Sequence, residues 1–275
     1  MFFADLELAQ RLESAETECS ASCAAASIRS DPACAGFVER AGGGAALCFA
    51  PGSPLNKCVG MGLDGQVPEA DLDRIESLFR PRGGRVLIDL CPLADPQFIQ
   101  LLAARGYTAS EFENVLAMSL EDWRPSADSH GAAVQVRLAR PDEALLWSRT
   151  LGRGFAEGAD IPEDIVRLGT TIFNAPGGCA YFALVDGQVA GGGGMSIHKR
   201  TAALYGTSVL PEFRGRGVQT ALLRTRLRDA IAAGCDLAKV VTRPGTTSQR
   251  NAERTGFRVV YTKPQMVRQL APVGV

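Results

Sequence analysis

Laid against itself with a shift of 150 residues, this sequence repeats its punctuation. Val59 falls on Val209, Gly65 on Gly215, Gly84 on Gly234, Leu87 on Leu237 and Gly106-Tyr107 on Gly256-Phe257. Identity between the halves is low. What recurs in one register is the order strand, turn, helix, Gly, strand, helix, Gly-aromatic, which is the trace an internal duplication leaves. A chain of 275 residues is long enough for two domains that each bury a core. Two copies of one unit are therefore expected.

Hydrophobic spacing says what that unit is. Leu6, Leu8, Ala9, Leu12 and Ala15 open the chain with helical periodicity; Gly36 to Phe49 and Lys57 to Met61 read as strands around glycine turns. Pro68 to Phe79 is an amphipathic helix with Leu72, Ile75 and Phe79 on one face, Arg85 to Leu90 a buried strand, and Asp95-Pro96 the start of a helix that ends at Gly106. In the second half a strand at 133–138 precedes helices at 141–152 and 162–173. Strands at 179–185 and 188–197 are joined by Asp186-Gly187, a tight hairpin turn. A strand at 202–209 leads to a helix from Val218 to about Ala233, with Leu223, Leu227, Ala230 and Ile231 on its apolar face and Arg224, Arg226 and Arg228 off it. A strand at 237–242, a short helix at 248–255 and strand segments within 257–269 finish the chain. Strands alternate with helices, so the fold class is α/β with a mixed, partly parallel sheet. The Pro/Gly-bearing stretch from Trp123 to Gly131 reads as a linker, dividing the chain into domains 1–128 and 132–275.

Charge separates the two halves. Residues 1–131 carry ten bases and nineteen acids, a balance of −9; residues 132–275 carry nineteen bases and eleven acids, a balance of +8. Ten of the nineteen bases lie between Arg214 and Arg258, so the positive field is local and suits an anionic ligand. Nucleic acid is not expected, because no aromatic stacking set accompanies the bases. No apolar run reaches the roughly 18 residues of a membrane span. The start, Met1-Phe2-Phe3-Ala4-Asp5, is unlike a signal peptide, which points to the cytoplasm. The eight Cys (19, 23, 34, 48, 58, 91, 179, 235) are then most simply reduced and buried. With His130 and His198 the only histidines and no Cys-x-x-Cys, no metal is expected.

The sharpest chemical signal is the run from Val209 to Thr220. A strand ends, a turn holding Arg214-Gly215-Arg216-Gly217 follows, and a helix starts at once. Glycines allow close backbone approach, and successive amides at a helix N-terminus form a nest for phosphate. Arg214 and Arg216 add full positive charge there.

These residues resemble the GNAT acyltransferase superfamily. Its Arg/Gln-x-x-Gly-x-Gly/Ala signature, after a strand ending Val-x-Pro, is met by Val209, Pro211, Arg214 and Gly217, with Gln219 in the sixth place instead of Gly or Ala. Ser248 to Phe257, a short helix ending in Gly-Phe, is similar to the family's second cofactor segment. The resemblance covers residues 132–270 and implies acetyl-CoA as co-substrate. Val209 and Leu210 would bond the pantetheine arm, the amides of Arg214, Gly215, Arg216, Gly217, Val218, Gln219 and Thr220 would hold the diphosphate, and Ser248 and Asn251 would reach the arm. Where many members carry a tyrosine that protonates the leaving thiolate, this chain has Ala252, and the strand before the turn has no glutamate base. Tyr205 is the candidate on that strand; it either faces the cleft or tiles the sheet.

In the first half the same register gives Asp64-Gly65-Gln66-Val67-Pro68. An acid replaces the arginine, valine the second glycine, and proline removes an amide. This half resembles the degenerate copy of tandem GNAT proteins. Between the first two helices of the second half, Glu157 and Asp160 are candidates to hold or deprotonate an amine, with a solvated loop as the equal alternative. Gly191 to Gly194 suggest close approach by a ligand or a bulge. The expected function is acetyl transfer from acetyl-CoA to a primary amine by direct attack, with a small-molecule or peptide acceptor, no membrane partner and a homodimer left open. The alternative is a non-catalytic CoA-binding sensor or scaffold.

Overall fold

The computed structural model describes residues 3–121, 123–124 and 134–271. In chain order the elements are α1 (Leu6–Ser30), β1 (Phe37–Ala41), β2 (Gly44–Cys48), β3 (Lys57–Val59), α2 (Glu69–Phe79), β4 (Arg85–Asp89), α3 (Pro96–Ala104) and β5 (Thr108–Ser119). They continue as β6 (Val134–Leu138), α4 (Ala144–Phe155), α5 (Glu163–Phe173), β7 (Gly178–Val185), β8 (Gln188–His198), β9 (Thr201–Val209), α6 (Val218–Ala232), β10 (Leu237–Thr242), α7 (Thr247–Thr255) and β11 (Arg258–Gln269). The α/β class holds, and so does the repeat: β11 begins and ends 150 residues after β5.

The division of the chain differs from the expected one. One compact unit comprises the residues up to Val115 together with those from Val259 on; the other runs from Leu116 to Arg258. A linker is a local signal, whereas the division is made by strand pairing. Most of the expected linker, Pro125 to Gly131 with His130, lies outside the described residues. In the first unit β11 pairs antiparallel with β4, Gln265 opposite Asp89 through Gln269 opposite Arg85, so the last strand of the sequence completes the first sheet. In the second unit the end of β5 lies beside β10, where the Leu120 amide donates to the Asp236 carbonyl at 2.8 Å. The sequence reading did not identify β5. Its Glu111 and Glu113 break the apolar run, and only Asn114 to Met118 are continuously buried.

The first unit orders its strands β1-β2-β3-β4-β11. Buried Ile75, Phe79, Ile88 and Phe98 form its core. The second orders β10-β9-β8-β7-β6, with β9–β10 parallel and the rest antiparallel. Asp186 and Gly187 both take left-handed φ between β7 and β8, as the hairpin requires. Val218, Leu222, Leu223, Leu227 and Ala230 hold α6 to the sheet, each leucine contributing about 1.5–3 kcal/mol by burial. Two assignments on this helix are corrected. Ile231 is 37% exposed, and Arg226, expected off the apolar face, is fully buried on it. All eight cysteines are free thiols, and none of the helices described is long and apolar enough to cross a membrane.

Candidate functional site

The site is built where β9 gives way to α6. Leu210 is buried, Pro211 to Phe213 form a single 3-10 turn, and Gly215 and Gly217 both adopt φ of +76°. That left-handed backbone is open to glycine without strain and costs other residues about 1 kcal/mol or more. Gly217 is the N-cap of α6 and no acid stands in the helix's first turn. A Cβ on either glycine would meet no atom within 4 Å, so the turn is open on its outer side. Among the described residues, the amides of Gly215, Arg216, Gly217, Val218, Gln219 and Thr220 donate to no protein acceptor. Six unpaired amides at a helix N-terminus make an anion cradle.

The strand leading to the cradle is open along one edge. The parallel ladder joins Leu237–Val240 to Thr201–Leu204 and ends there, so Tyr205 to Val209 pair only with β8. A bulge interrupts the β8–β9 register between Gly192 and Gly194, and Gly206 on β9 takes φ +59°. At the far end of β10 the hydroxyl of Thr242 is buried with no partner among the described residues. An extended chain bearing amides and a diphosphate fits this arrangement: one open strand edge, one orphaned hydroxyl and one amide cradle in series.

The expected binding residues are brought together, with differences in detail. Val209 is on the open edge. The Leu210 amide donates to the Ala190 carbonyl at 2.9 Å, and its carbonyl accepts from the Phe213 amide, so Leu210 acts through its buried side chain. Gln219 Nε2 donates to Ser248 Oγ at 3.2 Å, and Asn251 Nδ2 donates to Gln219 Oε1 at 2.6 Å. The Gln219 side chain thus spans the α6–α7 gap and ties up the two α7 residues expected to reach the arm. Arg216 stacks its guanidinium over Phe213 at 5.6 Å and remains exposed. Arg214 turns away from the cradle. It ion-pairs with Glu157 and donates to the Gly154 carbonyl at 3.1 Å, tying the α4–α5 loop to the glycine turn.

The two expected proton carriers are not placed for that work. Glu157 is exposed, has left-handed φ of +54°, and is held below the usual carboxylate range by the Arg214 hydrogen bond. A carboxylate stabilised in this way is a weak base. The Tyr205 ring lies over Gly194 of β8 and its hydroxyl reaches toward Gly178 of β7, away from the open edge; it tiles the sheet. Of the other hydroxyls on β9, Ser208 donates to the Leu151 carbonyl and Thr207 accepts from Arg226. Ala252 is buried in the core under α7. The run Gly191 to Gly194 is filled by the protein's own groups: a Cβ on Gly193 would strike Arg226 and one on Gly194 the Tyr205 ring.

Sequence reasoning missed Thr242 and Arg226. An i, i+4 count from Leu222 to Arg226 carried a usable signal, since it puts the arginine on the buried stripe.

The first-half counterpart of the cradle is closed chemically. Val67 is buried where Gly217 stands open, Pro68 has no amide, and Glu69 and Asp71 occupy the first turn of α2. Gln10 of α1 donates to the Leu63 carbonyl and to Asp64 across that turn. Among the described residues no group of acidic, Cys or His side chains is arranged to hold a metal ion.

Residues 146–257 match the model of the acetyltransferase (GNAT) family. Among solved structures, the chain is similar to a GCN5-related N-acetyltransferase from Kribbella flavida, at 15% identity and a TM-score of 0.65, with 96% of each chain covered. It is also similar to a tandem GNAT protein from the clavulanic acid biosynthesis pathway, at 17% identity and TM-score 0.59, covering 87% of this chain and 85% of that one. A GCN5-related N-acetyltransferase from Sphaerobacter thermophilus aligns at 15% identity and TM-score 0.56, covering 74% of this chain and 68% of that one. Among curated proteins, none matches the sequence.

Proposed function

We propose that the segment matching the acetyltransferase (GNAT) family model, residues 146–257, moves an acetyl group from acetyl-CoA to an amine while the first half binds no CoA. Acetyl-CoA supplies the activated acyl group; everything else is binding and orientation by this chain. The observation that carries the reading is the run of six unpaired amides from Gly215 to Thr220, continuous with the unpaired edge of β9. The amides would hold the diphosphate, Val209 the arm, and the orphaned Thr242 hydroxyl a polar group beside it. Fixing the thioester on a rigid strand beside the acceptor would supply proximity, which is worth several kcal/mol of a barrier.

The acceptor would enter beside the α4–α5 loop, where Asp160 is an exposed carboxylate suited to an ammonium group. Glu157 serves as the anchor of Arg214. Direct attack by a neutral amine needs no covalent enzyme intermediate. The test joins binding to turnover. Acetyl-CoA at about 100 times its dissociation constant should stabilise the protein by about 2.7 kcal/mol, and an amine panel should release free thiol. Stabilisation without thiol release for any amine would favour the second reading, a CoA-binding module, for which the buried Ala252 and the engaged Glu157 speak. No stabilisation would overturn both.

A further inference from the structure

Arg226 is the one arginine described that is fully buried, and it has no acid beside it. Its Nε donates to the Leu222 carbonyl at 3.0 Å, Nη1 to the carbonyls of Gly194 at 2.8 Å and Tyr205 at 3.4 Å, and Nη2 to Thr207 Oγ1 at 2.7 Å. Among the described residues none of its partners is a carboxylate. Tyr181 from β7 and Tyr205 from β9 are the titratable groups that face it. The Tyr181 hydroxyl donates to Asp229 on α6 at 2.8 Å, and burial holds that phenol above its ordinary range. Desolvation lowers the guanidinium to about 10, so the charge persists at neutral pH.

A buried charge without a counter-ion costs several kcal/mol. Arginine's equivalent in the first half shows the ordinary solution. Glu76, 150 residues earlier and also buried, accepts from Arg268 at 2.7 Å and from the Tyr107 hydroxyl at 3.2 Å. Arg226 lacks such a partner, and its position says where one could arrive. Its head grips residues on both sides of Gly206, on the β9 segment whose other edge is open. It lies eight residues into α6, about 12 Å along the helix axis from the cradle.

We propose that Arg226 is the positioning residue that holds the β9 bulge and sets a permanent positive charge behind it for the thioester, stabilising negative charge first on the carbonyl oxygen and then on the departing sulfur. This rests on the acetyl-CoA reading above. In the step it serves, the amine lone pair forms the C–N bond and the carbonyl π pair moves to oxygen. The pair then returns, the C–S bond breaks with its electrons on sulfur, and the ammonium proton passes through water to the thiolate or to bulk. Arg226 neither gives nor takes a proton. Its charge makes the thiolate a better leaving group without a tyrosine to protonate it.

The prediction is readable without knowing the acceptor. CoA itself, bound to the full-length protein, is titrated with pH while its thiolate is followed by ultraviolet absorbance. The bound thiol should ionise about tenfold more readily than free CoA, the effect of one unit charge at several ångströms in a partly desolvated site. Arg226→Lys should keep most of that shift and Arg226→Met should lose it, with CoA affinity changed less than threefold. Should Arg226→Met fail to fold, Thr207→Val, which keeps the charge but frees one arm of the guanidinium, should reduce the shift by about threefold. A bound thiol that titrates like free CoA, or an Arg226→Met protein that keeps the wild-type shift, overturns the proposal while leaving the cofactor reading intact. Failure of the wild-type protein to bind CoA overturns the cofactor reading itself, and this proposal with it.

Discussion

The turn from Val59 to Pro68 and the turn from Val209 to Val218 occupy the same place in two copies of one unit, yet they have opposite chemistry. The second presents two left-handed glycines and a run of unpaired amides to open space, with Arg214 beside them held by Glu157. The first presents Asp64, buries Val67 where Gly217 stands, loses an amide at Pro68, and is bridged by Gln10. The same inversion runs along the following helix, where Glu76 answers Arg226. It reaches the last strands as well, where Glu113 of β5 answers Lys263 of β11. The backbone plan alone therefore makes no anion site. A helix N-terminus with free amides becomes one only when glycine keeps it open and no acid stands in its first turn.

The most damaging change should be the one that writes the first copy into the second. Gly217→Val puts a β-branched residue at φ +76° and a side chain across the cradle. Acetyl-CoA affinity should fall about a hundredfold by calorimetry, strain and lost approach together being worth about 2–3 kcal/mol. Circular dichroism should stay unchanged. Wild-type affinity in this variant would mean that the comparison of the two turns misplaces the site.

Charge comes next. Arg214→Glu, which copies the sign of Asp64, should weaken acetyl-CoA binding about tenfold at low salt and less as salt screens the added acid. It also sets a second carboxylate against Glu157 in place of their ion pair. An effect independent of salt would show that Arg214 acts only by tying down the α4–α5 loop.

Glu157→Gln should be milder, changing acetyl-CoA affinity about twofold to threefold, as expected for an exposed ion pair, and sparing kcat. The lowered carboxyl of Glu157 gives the pH sense. Its contribution is present above the ordinary carboxylate range and disappears as pH falls through the lowered value, so wild type and variant should converge in acid. A loss of kcat on the order of a hundredfold would instead make Glu157 the base.

The smallest effect belongs to the first unit. There Lys57 and Lys263 meet Glu16, Glu13 and Asp89 beneath α1, with Lys263 and Glu13 fully buried. Glu113 joins them with one buried oxygen unpartnered, and burial followed by the Asp89 charge raises its carboxyl. A raised carboxyl favours the folded state while protonated, and this favour is lost as pH climbs from the ordinary value through the raised one. Glu113→Gln should therefore be neutral or stabilising by about 1 kcal/mol at pH 7 and indistinguishable from wild type below about pH 4. Clear destabilisation at neutral pH would show that the ionised carboxylate is part of the network.

Much of this architecture was legible in the sequence because its signals are local. Asp95 caps α3, Asp186-Gly187 makes the hairpin, and the glycine turn opens α6. The features that escaped are those decided across long separations. Nothing near Arg258 says that β11 pairs with β4, because the register is set by residues more than 170 positions away. Nothing beside Glu157 says that Arg214 claims it. The burial of Arg226 follows from the glycine at 193 that leaves room for it, a packing visible only once α6 lies against β8.

The contrast between the two turns can be read from backbone amide resonances of isotope-labelled protein while acetyl-CoA is added. The amides of Gly215 to Thr220 should shift first and furthest, with those of Gly65, Gln66, Val67, Glu69 and Ala70 unmoved. Shifts confined to the first turn, or none at either, would contradict that contrast.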